Sequence, residues 1–194
     1  TGASGFIGRH LLEYFKEDFE IIGLARRSQV HCGAPIHKNI TWNQVDIADR
    51  EALKAVFRDI RESGGAQYVM HLAAHYDFTG EKHPEYWRTN VEGMRNVLEE
   101  CRNLDLKRLI FSSSLAACRF PEHGDVLTEG SPPDGDHVYA ATKRIGEEML
   151  AESQEQYLRY ALSTWTESIQ PDSLCQPQRA IHSLEVLCVL FNQR

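Results

Sequence analysis

Three evenly spaced glycines in the sequence TGASGFIG, which opens the chain, constrain the fold more than any other feature. Gly2, Gly5 and Gly8 lead into a stretch through Asp18 with apolar residues at helical spacing. In such a motif one glycine permits a tight turn, the next lets backbone N–H groups approach a pyrophosphate, and the last lets the helix pack closely on a sheet. Glycine triplets also occur in plain turns, but the strand-like run FEIIGL follows at the spacing of a βαβ unit. The motif therefore predicts a phosphate-binding loop.

Short apolar segments alternate with longer amphipathic ones along most of the chain. The predicted strands span residues 19–24, 40–47, 68–74 and 108–113, and the predicted helices span residues 8–18, 49–61, 84–103 and 139–157. This alternation predicts an α/β fold with a doubly wound parallel sheet and right-handed crossovers. We expect one domain over residues 1–160. Residues 161–194, where the alternation fades, form an atypical C-terminal tail.

Charge and cysteine usage narrow the classes of partner. The net charge of −7 argues against a nucleic acid or an anionic membrane surface, because both bind a basic face. The five cysteines are scattered, odd in number and free of CxxC spacing, which favours reduced thiols over a disulfide framework or a zinc site. No apolar run reaches the length of a membrane span. We therefore expect a cytoplasmic protein that binds no nucleic acid, membrane or metal.

The segment GLARRS, at the end of the second strand of the expected fold, bears on the coenzyme. Ala25 stands where NAD-binding domains commonly carry an acidic residue, and Arg26 follows it. A guanidinium can form a bidentate contact with a 2′-phosphate, so Arg26 favours NADP(H) over NAD(H). The other interpretation is a solvated basic pair at a strand end. Asp46, which closes the next strand, either accepts a hydrogen bond from an adenine amino group or caps the nearby helix.

Tyr139 and Lys143, in the sequence YAATK, lie four residues apart at the start of a predicted helix. Residues at this spacing share a helical face, and a nearby ammonium lowers the pKa of a phenol, so that Tyr139 could exchange a proton with a substrate oxygen near neutral pH. Ser112–Ser114 end a buried strand, where hydroxyl groups face the ligand cleft of a parallel sheet. Alternatively, Tyr139 and Lys143 are only neighbours on the surface, and the serine hydroxyls only hydrogen-bond backbone groups where the strand ends.

Five motifs occur in an order that is far more specific than any one of them. They are TGASGFIG at 1–8, HLAA at 71–74, TNVEG at 89–93, FSSS at 111–114 and YAATK at 139–143. Together they resemble the extended short-chain dehydrogenase/reductase superfamily, specifically its NAD(P)-dependent epimerase/dehydratase group. The resemblance covers roughly residues 1–155 and implies a Rossmann fold, an NADP or NAD coenzyme and a small-molecule substrate. It also implies a homodimer, since family members often dimerise through the long helices after the fourth and fifth strands.

The resemblance implies a role for each matching residue. Ser114, Tyr139 and Lys143 would be catalytic, with Ser114 selected from the serine run by its interval before the tyrosine. His71 matches the histidine of HLAA, which favours a packing role, whereas His75 stays open between a packing role and an acid/base or metal-binding role. The expected coenzyme-binding residues are Gly2, Gly5, Phe6, Ile7, Gly8, Arg26, Asp46, Ile47, Ala73, Ala74, Asn90, Ser112, Tyr139 and Lys143.

Both ends of the chain depart from the family. The family's first strand, normally just before the glycine motif, is absent, and its C-terminal substrate lobe is unrecognisable. We therefore expect a chain truncated at both ends. Translation of the C-terminal tail in a shifted reading frame is one explanation of its unrecognisable sequence. In an alternative interpretation, the strand-like run at residues 184–191 supplies the missing sheet pairing.

Two functions of different kinds fit these observations. The first is an NAD(P)-dependent oxidoreductase, or a nucleotide-sugar epimerase or dehydratase, that moves a hydride while Tyr139 transfers the proton. Its substrate would be a ketone or a nucleotide sugar. The second is a non-catalytic dinucleotide-binding module or an inactive fragment.

Overall fold

The chain folds into parallel strands that alternate with helices, as its apolar pattern predicts. The structure, a computed structural model, describes residues 1–77, 79, 81–120, 126–128, 130–156 and 160–163. The strands are β1 (Ile21–Ala25), β2 (Ile40–Gln44), β3 (Tyr68–His71), β4 (Arg108–Ser112) and β5 (Tyr160–Ser163). The helices are α1 (Phe6–Phe15), α2 (Arg50–Glu62), α3 (Glu85–Trp87), α4 (Gly93–Cys101) and α5 (Val138–Gln156).

Local sequence explains where α2 begins. The Asp49 side chain accepts a hydrogen bond from the backbone N–H of Ala52 and so satisfies one of the free donors of the first turn. Leu53, Phe57 and Ile60 recur on one face and are buried against the sheet. The helix proposed from this pattern is therefore confirmed to within a residue at each end.

The long helix expected over residues 84–103 contains a π-helical turn. It begins as α3, continues through the π turn at Arg88–Glu92 and ends as α4. A π turn widens the backbone by one residue and often occurs at functional sites. Here it directs Thr89, Asn90 and Val91 into the protein interior. The apolar pattern predicted one uninterrupted helix because both conformations bury nearly the same face.

The described strands form two separate parallel groups. β1 pairs with β2, and β3, β4 and β5 form the second group, with β4 in the centre. Residues 1–3 connect the groups: the Thr1 amino group donates to the Met70 carbonyl oxygen at 2.6 Å, and Ala3 N–H donates to the Leu24 oxygen at 3.2 Å. No other strand lies between β1 and β3 in the described part of the chain. The structure is therefore an incomplete Rossmann fold, as expected.

β5 was not predicted from the sequence. It pairs in parallel with β4, from Leu109 opposite Tyr160 to Ser112 opposite Ser163, and so crosses the expected boundary at residue 160. Its four residues, YALS, are too few to show a clear apolar alternation. The run at residues 184–191, assigned above as an alternative partner for the sheet, lies outside the described residues, as does the tail from residue 164 onward.

The core lies between the sheet and the helices that follow β2, β3 and β4. Its most deeply buried apolar side chains are Leu53, Met94, Val97, Leu109 and Leu150. Cys101 is buried among them as a free thiol, and burial raises its pKa to about 12. This packing fixes the carboxyl ends of the strands, where the residues of the candidate site converge.

Candidate dinucleotide-binding and active site

The glycine loop lies directly against the segment that follows β3. Gly2 has a φ of 74°, and a Cβ at this position would lie 2.7 Å from the Ala73 backbone nitrogen. A Cβ at Gly8 would lie 2.8 Å from the Ala3 Cα and closer still to the Gly2 carbonyl oxygen. Both positions therefore exclude any side chain, for conformational and packing reasons at Gly2 and for packing reasons at Gly8.

The loop leads without a side-chain cap into α1. Gly5 is the N-cap residue, and its N–H donates to the Gly2 carbonyl oxygen at 2.9 Å. The first N–H groups of an α-helix have no partners within the helix, and the helix dipole adds a partial positive charge there. Phe6 is exposed beside this turn, whereas Ile7 is half-buried against Leu11. The helix start has the chemistry of an anion site.

The charged side chains that follow β1 and β2 form a network of ion pairs. Arg26 Nη1 donates to Glu85 Oε2 at 3.0 Å, and Arg88 donates to Glu85 Oε1 at 3.1 Å and to Asp46 Oδ2 at 2.8 Å. Arg27 instead donates to the Ser4 carbonyl oxygen in the glycine loop at 2.5 Å. Arg26, proposed from the sequence to contact a 2′-phosphate, is thus engaged by a carboxylate.

Asp46 does not cap the nearby helix, so one of its two proposed roles is wrong. Its Oδ1 accepts from Ala48 N–H at 3.0 Å, while Asp49 caps α2. Burial acts to raise the pKa of Asp46, but the hydrogen bonds from Ala48 and Arg88 and the charges of Arg88 and Arg26 hold it below its ordinary value. The carboxylate is therefore charged at neutral pH, and the adenine contact remains a prediction for it.

Tyr139, Ser114 and Lys143 come together at the carboxyl end of β4. The Ser114 hydroxyl lies close enough to the Tyr139 phenol to lower its pKa, and Ser114 Oγ accepts from Ala116 N–H at 3.2 Å. Lys143 Nζ lies 5.6 Å from the centroid of the Tyr139 ring and donates to the Ser112 carbonyl oxygen at 2.8 Å. The three side chains can thus act on one substrate oxygen and its surroundings.

The expected lowering of the Tyr139 pKa by Lys143 is wrong for this arrangement. Burial raises the pKa of Tyr139, the Ser114 hydroxyl acts to lower it, and the neighbouring Tyr76 and Tyr86 raise it. The ammonium of Lys143 donates to the Ser112 carbonyl oxygen, and the influences of burial and the neighbouring tyrosines outweigh the lowering of the Tyr139 pKa. The phenol is therefore protonated at neutral pH.

Lys143 is a buried cation with an unusual protonation equilibrium. Only 4% of its surface is exposed, and burial lowers its pKa to about 8, although Glu147 acts in the opposite direction. Glu147 lies one helical turn beyond Lys143 and accepts a short hydrogen bond from the Ser113 hydroxyl. Ser113 and Glu147 thus attach the end of β4 to α5 directly beneath the lysine.

Asn90 joins three segments of the site from the π turn. Its side-chain oxygen accepts from His75 N–H at 2.6 Å, and its amide nitrogen donates to the His75 carbonyl oxygen and to Thr142 Oγ1, each at 3.0 Å. Thr142 in turn donates to the Tyr139 carbonyl oxygen at 2.8 Å. Asn90 therefore orients the segment after β3 relative to the helical turn that carries Tyr139.

The two histidines occupy different environments. His71 is 1% exposed, its Nδ1 lies 3.0 Å from Thr1 Oγ1, and burial together with nearby positive charge holds its pKa well below its ordinary value. This neutral, buried ring supports the packing role. The His75 ring contacts Tyr86, and its buried Nε2 lies 3.6 Å from Asp77 Oδ2, beyond hydrogen-bond distance.

The remaining expected coenzyme contacts are distributed along the same edge of the sheet. Ile47 is buried after β2, where its carbonyl oxygen accepts from Asn96. Ala73 is half-buried and Ala74 exposed after β3. In the part of the chain that the structure describes, no cluster of three or more His, Cys, Asp or Glu residues could hold a metal ion, and no helix has the length and apolar character to cross a membrane.

Four residues with a structural role at the site were missed from the sequence. They are Glu85, Arg88, Thr142 and Glu147. Glu147 carried a usable signal, because it lies four residues beyond Lys143 on the same helical face. The partners of Glu85 and Arg88 could not be inferred, since Arg26 and Asp46 are about 40 to 60 residues away in the chain.

The buried charge of Lys143 leads to a prediction about stability. Because its pKa is about 8 in the folded chain and about 10.4 in an unfolded one, the unfolded chain binds more protons between these values. The free energy of unfolding contributed by this residue therefore rises with pH across that interval, by roughly 3 kcal/mol. Urea unfolding is measured for the native chain and for Lys143→Met at pH 7 and pH 10.5. The free energy of unfolding of the native chain, relative to that of the variant, should increase by this amount from the lower pH to the higher.

The control for this measurement is Lys54→Met, which removes an exposed ammonium from α2. Its difference in stability from the native chain should be the same at both pH values. If the difference in free energy of unfolding between the native chain and Lys143→Met is also the same at both pH values, the burial of a charged lysine is contradicted.

Comparison with known proteins identifies the family. A model of the NAD dependent epimerase/dehydratase family matches residues 1–167. The chain belongs to this family.

Named relatives are enzymes of several kinds. A 3 beta-hydroxysteroid dehydrogenase/Delta 5-->4-isomerase of Vaccinia virus is 27% identical over 186 residues, which are 90% of this chain and 51% of the relative. A UDP-glucose 4-epimerase of Streptomyces lividans is 31% identical over 77% of this chain and 45% of the relative. The chain thus spans about half the length of the curated relatives that it matches.

Solved structures show the same fold. The UDP-glucose 4-epimerase of Thermus thermophilus, in complex with NAD, has a TM-score of 0.71 and 27% identity and covers 83% of this chain and 52% of that one. The UDP-Glc/GlcNAc 4-epimerase of Campylobacter jejuni has a TM-score of 0.71 and 24% identity, with 84% and 51% covered. The second likeness concerns the fold alone.

Proposed function

We propose that the chain binds a nicotinamide dinucleotide and catalyses, or forms the coenzyme half of an enzyme that catalyses, hydride transfer at a carbinol or carbonyl carbon. The observation that carries the proposal is the meeting of Tyr139, Ser114 and Lys143 at the carboxyl end of β4. This end lies on the same edge of the sheet as the glycine loop, where parallel α/β sheets bind ligands.

The residues present fit a dinucleotide. Gly2 and Gly8 leave no space for side chains, so the backbone N–H groups at the start of α1 can approach a pyrophosphate. Lys143 is a buried cation, and its ammonium could also donate to a ribose hydroxyl. When bound, the nicotinamide ring supplies or accepts the hydride.

Tyr139 would transfer the proton at the substrate oxygen. Because burial raises its pKa, the phenol is protonated at neutral pH and can donate to a carbonyl oxygen. The Ser114 hydroxyl, which lies beside the phenol, can hold the same oxygen in position. Asn90, through Thr142, keeps the tyrosine's helical turn oriented. A protonated phenol suits reduction of a carbonyl directly, whereas the oxidation that begins an epimerase cycle requires Tyr139 first to lose its proton and act as a base.

The coenzyme is proposed to be NAD(H) or NADP(H). Arg26 is the residue that would contact a 2′-phosphate, which was the basis for the expected preference for NADP(H). The ion pair of Arg26 with Glu85 weakens the case for a preference for NADP(H). In addition, several similar solved structures are complexes with NAD. The preference therefore depends on whether Arg26 is released.

The substrate would be a nucleotide sugar or an apolar alcohol or ketone. UDP-glucose 4-epimerases and a 3 beta-hydroxysteroid dehydrogenase among the relatives support these two classes. A homodimer through α4 and α5 and a cytoplasmic location stay predictions. The alternative of a non-catalytic binding module remains in competition, because the chain covers only about half of its relatives.

Turnover and binding assays separate the enzyme from the module. Purified chain is mixed with NADH or NADPH and with 3-ketosteroids and simple ketones, or with NAD⁺ or NADP⁺ and with UDP-sugars, and the absorbance of the reduced coenzyme is followed. Substrate-dependent loss of this absorbance, or epimerisation of a UDP-sugar detected by chromatography, supports the enzyme. Coenzyme binding without turnover of any substrate favours the module.

A further inference from the structure

Arg26 and Glu85 form an ion pair at the edge of the sheet that carries the candidate site. Arg26 directly follows β1, and Glu85 opens α3, the first helix after β3. The 3.0 Å contact between them therefore joins segments from the two separate groups of strands. About half of the Arg26 side chain is exposed, so a ligand at this edge can reach it.

The Glu85 carboxylate is held firmly in place. It accepts from Thr89 Oγ1 at 2.9 Å and from Arg88 Nη1 at 3.1 Å, in addition to Arg26. Burial acts to raise the pKa of Glu85, but the hydrogen bonds from Thr89 and Arg88 and the charges of Arg88 and Arg26 hold it below its ordinary value. Glu85 is therefore charged at neutral pH and keeps its position independently of Arg26.

A fixed carboxylate beside Arg26 has two effects on a phosphate. It occupies the Nη1 donor, one of the guanidinium donors that would form a bidentate contact, and it repels the incoming negative charge. A 2′-phosphate would therefore gain little from Arg26. A 2′-hydroxyl carries no charge and is not repelled.

We propose that Glu85 sets the coenzyme selectivity of this chain by holding Arg26, so that the native chain does not prefer NADPH over NADH. This inference rests on the proposed function, since it concerns the coenzyme of the same site. Release of Arg26 creates a preference for the 2′-phosphorylated coenzyme, because a charge-assisted contact then becomes available.

The experiment measures the affinities of NADPH and NADH by fluorescence titration of the full 194-residue chain and its variants. Glu85→Gln keeps the size of the side chain and one acceptor oxygen but replaces the other oxygen with an NH₂ donor and removes the charge. It should raise the ratio of NADPH affinity to NADH affinity about tenfold or more, the effect of one charge-assisted hydrogen bond, with NADH affinity nearly unchanged. Arg26→Gln alone should leave the native ratio within about threefold, because the held guanidinium contributes little.

Two further variants test the mechanism. In Glu85→Gln/Arg26→Gln the ratio should return to the native value, since the gain requires the guanidinium. Glu62→Gln is the matched control, because it removes one carboxylate at the far end of α2, away from the carboxyl ends of the strands. Its ratio should equal that of the native chain.

The outcomes distinguish this inference from the proposed function. An unchanged ratio in a Glu85→Gln variant that binds NADH normally contradicts the role of Glu85 alone, as does a large loss of NADPH affinity in Arg26→Gln. Persistence of the gain in the double variant also overturns it. A folded native chain that binds neither coenzyme contradicts the proposed function itself, and this inference with it.

Discussion

Replacing Tyr139 by phenylalanine is expected to lower turnover by about 10²- to 10⁴-fold, the usual contribution of a positioned acid or base. The phenol is the group that meets Ser114 at the end of β4, and its raised pKa keeps it protonated for donation. The ring itself packs against Tyr76, with the centroids 4.7 Å apart, and phenylalanine preserves this packing. The affinity for NADH should therefore stay within about threefold of the native value.

The measurement is steady-state turnover with whichever substrate the panel identifies, combined with coenzyme titration of the same preparations. Tyr76→Phe is the matched control, because it removes a hydroxyl from a neighbouring ring that is half exposed. It should change turnover only a few-fold. Equal losses in both variants, or a parallel loss of coenzyme affinity in Tyr139→Phe, would contradict the assignment of proton transfer to Tyr139.

Replacing Gly8 by alanine is expected to abolish measurable coenzyme binding and to destabilise the fold. The added Cβ would overlap the Gly2 carbonyl oxygen and lie 2.8 Å from the Ala3 Cα, both of which are backbone atoms that cannot rotate away. The start of α1 must then move away from the glycine loop. Such overpacking costs about 1–3 kcal/mol of stability and displaces the N–H groups that would face the pyrophosphate.

The control is Gly130→Ala. This glycine has no positive φ, and the nearest atom to an added Cβ is Thr128 Oγ1 at 3.8 Å, an ordinary contact. Its stability and coenzyme affinity should match those of the native chain. Titration and urea unfolding of both variants test the difference. A Gly8→Ala chain that is folded and binds NADH with native affinity would show that the glycine loop does not hold the coenzyme.

Local patterns predicted the parts of the fold that local forces determine. The Asp49 cap and the buried face of α2 could be inferred because a capping side chain and a helical period lie within one segment. β5 was missed because four residues carry little periodicity, and its place is set by pairing with β4. The π turn was missed because it preserves the buried face of the long helix.

In the candidate site, too, some features could be predicted from local sequence and others could not. The glycine motif and the spacing of Tyr139 and Lys143 indicated which groups would share a site, and the structure places Ser114 beside the phenol. The electrostatics could not be inferred, because they depend on contacts between distant segments. The pairing of Arg26 with Glu85 and the direction of the Lys143 ammonium are two such contacts. Each changes a chemical expectation that the sequence alone had supported.

The most direct test of the account is a titration of the folded chain with NADH and NADPH. The glycine loop and the buried ammonium of Lys143 predict saturable binding of at least one of the two, with loss of that binding in Gly8→Ala. Saturable binding that Tyr139→Phe retains would support a coenzyme held by the glycine loop independently of the proton donor. A cooperatively folded chain without affinity for either coenzyme, reduced or oxidised, would contradict the account at its base.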